Sequence, residues 1–159
     1  MNIKIRTMCP EDYETYRSFL SELHALHVKE RPDVFRPKAG VPPREVFESD
    51  LQKDDRDYFL AVSNEDAAGM CTLLWKERKD DPEYPLLPCR SGHIDDLFVA
   101  PEFRKQGIGT LLYREAERRA KERGVDNLTL MVWSFNENAM KLYQKLGMKP
   151  LLLNMEQRL

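Results

Sequence analysis

The segment GHIDDLFVAPEFRKQGIGTLLYREAERRAKER, residues 92–123, decides how the rest of the chain is read. His93 to Val99 ends in apolar and β-branched residues, as a buried strand does. Pro101 closes the run, because proline cannot donate to a ladder. A polar turn follows, Arg104-Lys105-Gln106-Gly107-Ile108-Gly109, and then Leu111, Leu112, Ala116 and Ala120 mark the apolar face of a helix. The first amides of a helix lack internal acceptors, and the helix dipole adds partial positive charge there. Gly107 and Gly109 leave those amides bare, and Arg104 and Lys105 add full charge. The turn therefore predicts a phosphate or pyrophosphate ligand.

The nucleotide-binding loops do not fit. A Walker A loop requires Gly-Lys-Ser/Thr where this chain has Gly109-Thr110-Leu111, and a Rossmann fingerprint requires a small residue where Leu112 stands. The remaining pattern, Arg104-x-x-Gly107-x-Gly109, resembles the acetyl-CoA pyrophosphate loop of the GNAT acetyltransferase superfamily. Downstream, Asn136-Glu137-Asn138-Ala139-Met140-Lys141-Leu142-Tyr143-Gln144-Lys145-Leu146-Gly147-Met148 resembles the same superfamily's signature for its last helix. The resemblance covers the C-terminal half by motif and the N-terminal half by general pattern.

Composition sets bounds. A single domain over 1–159 is expected, long enough to bury a core. With 42% hydrophobic and 33% charged residues, the chain reads as globular rather than disordered. A net charge of -2 offers no general attraction to nucleic acid. No run reaches the ~20 apolar residues of a bilayer crossing, so no membrane partner is expected. The N-terminal residues show no apolar signal core, and Cys9, Cys71 and Cys89 are unevenly spaced, which points to a reducing cytoplasm.

Along the chain, Asn2–Thr7 alternates as a half-buried strand. Pro10 opens a helix that continues to about Glu30 through Tyr13, Tyr16, Leu20 and Leu23. The proline-rich stretch 31–43 is a loop, leading to a second helix near 44–52. His24 and His27 share a helix face but find no partner ligands, so a structural or cleft-lining role is expected and no metal. The acids from Glu45 to Asp57 read as a solvated face, or more sharply as an acidic rim for a cationic acceptor. Residues 58–62 and 69–75 form a hairpin, with Cys71 as core filler. Residues 76–92 read as a long loop. Strands at 128–133 and 151–155 complete the order β-αα-ββ-β-α-β-α-β, a mixed α/β sheet with helices on both faces. The oligomeric state stays open, and strand edges with the Tyr84–Leu87 patch are compatible with a homodimer.

The resemblance implies acetyl-CoA as co-substrate, held by backbone at Leu97, Phe98 and Val99, by Arg104, Lys105, Gln106, Gly107, Ile108, Gly109 and Thr110, and by Asn136 and Tyr143. It also implies that the fourth and fifth strands part to admit the thioester arm. Tyr143 corresponds to a tyrosine that protonates the leaving thiolate, although it also fits an inward helical stripe. Asn136 reads independently as a helix cap. Asp95 sits where related enzymes place an acid, which would bind the ammonium or relay its proton. Asp96 points to the opposite face of a regular strand, and a bulge would exchange the two. A direct Asp base is mismatched to an alkyl ammonium by roughly six pKa units. The expected activity is acetylation of a small cationic amine: a polyamine, a lysine-like amino acid or an aminoglycoside. Protein lysine or N-terminal acetylation is the alternative, and a non-catalytic acetyl-CoA-binding module is the reading from another class.

Overall fold

The computed structural model describes residues 2–159. Five strands lie in chain order across one sheet: β1 (Ile3–Thr7), β2 (Arg56–Ser63), β3 (Asp66–Arg78), β4 (Cys89–Val99) and β5 (Asn127–Leu130). The first four pair antiparallel, and β5 joins β4 in parallel after the crossover through α3 (Ile108–Arg123). The other helices are α1 (Tyr13–Glu30), α2 (Arg44–Asp50) and α4 (Glu137–Lys145).

Period-two alternation in β2 to β4 separates two cores. On one face, Tyr13, Tyr16, Phe19 and Leu20 of α1 and Phe47 of α2 pack on Tyr58, Leu60, Met70 and Phe98. On the other, Ile108, Leu112, Tyr113 and Ala116 of α3 cover Phe59, Ala61, Cys71, Leu73 and Ile94. Phe47 is fully buried, stacked on Tyr16 at 4.7 Å and edge-on to Tyr58 at 5.5 Å. Burying a side chain of that size contributes ~1.5–3 kcal/mol. The α1 stripe expected from the sequence is thus the one that packs.

Several boundaries differ from expectation. Pro10–Asp12 is a short 3-10 turn before α1 rather than its first α-helical turn. The long loop after β3 is shorter than its proline-rich sequence implies, because β3 extends to Arg78 and β4 begins at Cys89. The strand β5 stops at Leu130, and Met131 beyond it is exposed. The expected strand over Leu151–Met155 is not formed: Leu151, Leu152, Leu153 and Met155 are exposed and have no ladder partner. Apolar content alone does not make a strand when no edge pairs with it. The end of the chain is tied instead by ion pairs, Glu156 to Arg31 at 2.9 Å and Arg158 to Asp33.

Candidate active site

The α3 side of the site starts at the turn read from the sequence. Val99 ends β4, Pro101–Phe103 makes a 3-10 turn, and Gly107 adopts a left-handed φ of 82° as α3 begins. An added Cβ at Gly107 meets nothing within 4 Å, so its surface is open. The first intrahelical bond runs from the Leu111 amide to the Gly107 carbonyl. The α3 amino end has no side-chain cap and no acid in its first turn, leaving the amides of Ile108, Gly109 and Thr110 available for an anion. Gly109 has a different reason to be glycine. A Cβ there would lie 3.3 Å from Leu142 of α4 and 3.7 Å from Val99. The small residue lets α3, α4 and β4 meet closely.

The fork implied by the resemblance is present. The parallel ladder runs from Ser91 opposite Asn127 to Ile94 opposite Leu130, and stops. Leu97, Phe98 and Val99 continue β4 with β3 alone as ladder partner. Their side chains fill the cores, Leu97 and Val99 under α3 and Phe98 against Phe19 at 5.1 Å. Arg104 does not extend freely: its Nε donates to the Val99 carbonyl at 3.1 Å. The Gln106 side chain donates to the Glu102 carbonyl at 3.1 Å, and Lys105 is exposed. Across the fork, the Asn136 side chain accepts from the Ala139 amide at 3.2 Å and caps α4. Tyr143 packs in the α3-side core, 6.4 Å from Tyr113, and burial raises its phenol to about 12.

On the opposite face, the ladder resolves the question of the two acids. Thr72 pairs with Asp96, but the next residue, Leu73, pairs with Ile94, so Asp95 is an extra residue in a β-bulge. Because β3 alternates regularly, Met70, Thr72 and Leu74 share a face, and so do their partners Phe98, Asp96 and His93. The bulge weighed for this strand is therefore present, and the face alternation of a regular strand does not hold between Asp95 and Asp96. Both carboxylates act electrostatically on Tyr16 of α1, and on each other. Asp95 is exposed and Asp96 is partly buried. Burial, then the Asp95 charge, raises the Asp96 carboxyl to about 6. Burial likewise holds the Tyr16 phenol well above its ordinary value.

The sequence reading missed the surroundings of this pair. Thr72 Oγ1 is buried opposite Asp96, outside strict hydrogen-bond geometry but close enough to favour the ionised carboxyl. Asp50, in the run read as a solvated face or an acidic rim, is buried: it accepts from Lys53 and Arg56 at 2.6 Å and from the Tyr58 hydroxyl at 3.2 Å. Asp55 pairs with Arg56, and Asp57 accepts from Trp75 Nε1. These acids are largely committed to structure. His27 contacts Phe35 at 5.1 Å and Phe135 at 5.8 Å, while His24 Nε2 meets the Arg36 carbonyl at 2.7 Å. Among the described residues, no cluster of three or more His, Cys, Asp or Glu is placed to hold a metal ion. No helix among them is long and apolar enough to cross a membrane.

A bare helix start, a parallel strand pair whose ladder stops at Ile94 and Leu130, and two carboxyls just beyond it make up the candidate site. Residues 20–148 match the Acetyltransferase (GNAT) family, and the chain belongs to that family. The thialysine N-epsilon-acetyltransferase of Caenorhabditis elegans is 27% identical over 142 residues, covering 89% of this chain and 80% of that one. A mutant of the BH1408 protein from Bacillus halodurans superposes with a TM-score of 0.91 at 27% identity, over 98% of this chain and 99% of that one. An aminoglycoside N-acetyltransferase, AAC(6')-Iy, solved in complex with CoA, has a TM-score of 0.72 at 20% identity, over 99% of this chain and 94% of that one.

Proposed function

We propose that this acetyltransferase moves an acetyl group from acetyl-CoA to a primary amine of a small cationic acceptor, such as a polyamine, a lysine-like amino acid or an aminoglycoside. The observation that carries the reading is the bulge that sets Asp95 and Asp96 side by side just beyond the end of the β4–β5 ladder, where both bear on the Tyr16 phenol. The nematode thialysine enzyme and the CoA-bound aminoglycoside enzyme support the acceptor class.

Acetyl-CoA supplies a thioester-activated acetyl group. In this reading, the amides of Gly107 to Thr110 bind its diphosphate, with Lys105 and Gln106 beside them and Arg104 bracing the turn on Val99. Backbone amides near Leu97, Phe98 and Val99 donate to the carbonyl oxygen as negative charge grows on it. Asn136 adds a side-chain bond to the pantetheine arm. Tyr143, kept protonated at neutral pH by its value of about 12, gives its proton to the departing sulfur. Asp95 holds the acceptor ammonium, and Asp96 takes its proton. At about 6, Asp96 narrows the gap to an alkyl ammonium from roughly six pKa units to about four. Desolvation of the ammonium in the cleft closes more of it.

The test follows free thiol while the protein, acetyl-CoA and a broad amine panel are mixed. Acceptor-dependent thiol release supports the reading, and none across the panel defeats it. Release only with peptides would move the acceptor to protein lysine or N-terminal amines. CoA binding without release would leave a non-catalytic module. The three cysteines are free, in keeping with a cytoplasmic location. We also propose a homodimer using the exposed Tyr84, Leu86 and Leu87 or the exposed Leu151–Met155 stretch. Light scattering giving a monomer mass would reject it.

A further inference from the structure

Between α1 and the 37–41 loop lies a cavity of about 620 Å³ that the chemistry above does not use. Small-molecule sites commonly fall between about 300 and 1,000 Å³. Its α1 wall is the flank turned away from Tyr16 and Phe19, and carries Arg17, His24, Ala25, Val28 and Lys29. The loop wall is pinned at both ends. His24 Nε2 meets the Arg36 carbonyl at 2.7 Å, with its ring edge-on to Phe35 at 6.0 Å, and the Tyr13 hydroxyl donates to the Pro42 carbonyl at 3.0 Å. Between these ties Lys38 and Gly40 both take a left-handed φ, 56° and 86°. Glycine adopts it freely, but it costs a lysine roughly 1–2 kcal/mol. The cavity is thus a formed feature of the fold, with Lys38 held in its wall.

Its charge is one-sided. Arg17, Lys29 and Lys38 line it and no acid does, although acids outnumber bases in the chain by 27 to 25. Among the described residues, Lys29 and Lys38 have no ion-pair partner. Arg17 has only Glu14, at 3.6 Å, and Arg44 holds the same carboxylate at 3.1 Å. Arg17 and Lys29 stand ~18 Å apart along the helix axis, and Lys38 reaches in from the loop. Between the cations the walls are small and apolar: Ala25, Val28, Ala39 and Val41. One exposed ion pair contributes at most about 1 kcal/mol, so a single anionic group would be held weakly. Several like charges around one concavity focus their field on a ligand that answers all of them. We propose that this cavity is a second ligand site, separate from the α3 start, and that it binds a small polyanion: a metabolite with two or more phosphate or carboxylate groups on a compact apolar body.

Histidine-ring NMR of the full chain, titrated in turn with citrate, inorganic pyrophosphate and adenosine diphosphate, tests the site. The three probes separate carboxylate from phosphate and show whether an organic body adds affinity. At least one is expected to move the His24 resonances in a saturable way at millimolar concentration or below. The double variant Lys29→Gln, Lys38→Gln should weaken that binding about tenfold, and an unchanged melting temperature will show that the fold is kept. Lys105→Gln, at the α3 start, should leave it within about twofold. His24 unmoved by all three probes, a response unchanged in the double variant, a response lost equally in Lys105→Gln, or an equal response to spermine would each overturn the site. None of these readings requires acetyl transfer, so the site stands or falls independently of the proposed activity.

Discussion

On the α3 side of the fork, the uncapped amides belong to consecutive residues, Gly107 to Thr110, opened by one left-handed glycine. On the α1 side, Asp95, Asp96, Thr72, His93 and Tyr16 come from two strands and a helix that are far apart in sequence. The first surface exists once a single helix starts. The second requires β3 to register against β4 with one residue to spare, and α1 to dock above them. In the proposed mechanism, local geometry thus carries the binding of the acyl donor, whereas tertiary registration carries the acid–base chemistry. Damage to packing should fall more heavily on the second.

The largest expected effect comes from Phe47→Ala, which removes the fully buried ring beneath Tyr16 and Tyr58. Urea unfolding should show a loss of about 3–5 kcal/mol. Turnover should suffer before CoA affinity does; an equal loss of both would erase the contrast between the two sides.

Asp96→Asn comes next. Turnover should drop about 10²–10³-fold while calorimetry shows CoA binding retained. The stability effect has the opposite sign. The native carboxyl titrates at about 6 against a reference of 3.8, so the native state holds this proton more tightly than the unfolded chain. Its ionisation thus costs stability as pH rises through that window, by up to about 3 kcal/mol. The variant should therefore gain on wild type between pH 4 and 6 and stay ahead above it. Thermal melts across that range check this, and a variant less stable than wild type at pH 8 would make Asp96 a structural acid.

Tyr143→Phe should lower turnover about 10-fold or more and leave CoA binding within about twofold. Unchanged turnover would remove its proposed role and leave only packing against Tyr113. The smallest effect belongs to Gly107→Ala. The left-handed φ of 82° makes a side chain cost about 1–2 kcal/mol, although the Cβ itself clashes with nothing. A melting shift larger than that would mean the turn is held by more than its backbone.

Much of the α3 side was legible beforehand. Glycine spacing, the proline before the turn and the apolar stripe of α3 are all properties of neighbouring residues, and Asn136 announces its own cap on α4. Less of the α1 side was. Tyr16 shows in the helical stripe, but nothing about Thr72 marks it as the buried hydroxyl opposite Asp96. The acidic run from Glu45 to Asp57 hid Asp50, since a buried, triply bonded carboxylate looks like a solvated one in sequence. Leu151 to Met155 reads as a strand and is not one, because a strand is defined by its neighbour.

The sequence alone determined α3 with its glycine turn, α4 with its Asn136 cap and the family resemblance, because hydrophobic period, glycine conformation and helix-end polarity act within a few residues. Only the tertiary structure decided that Asp95 is the extra residue of a bulge and how deeply Asp96 is buried. Those depend on where one strand slips a residue past another, and on the dielectric and partners that the packed helix then provides.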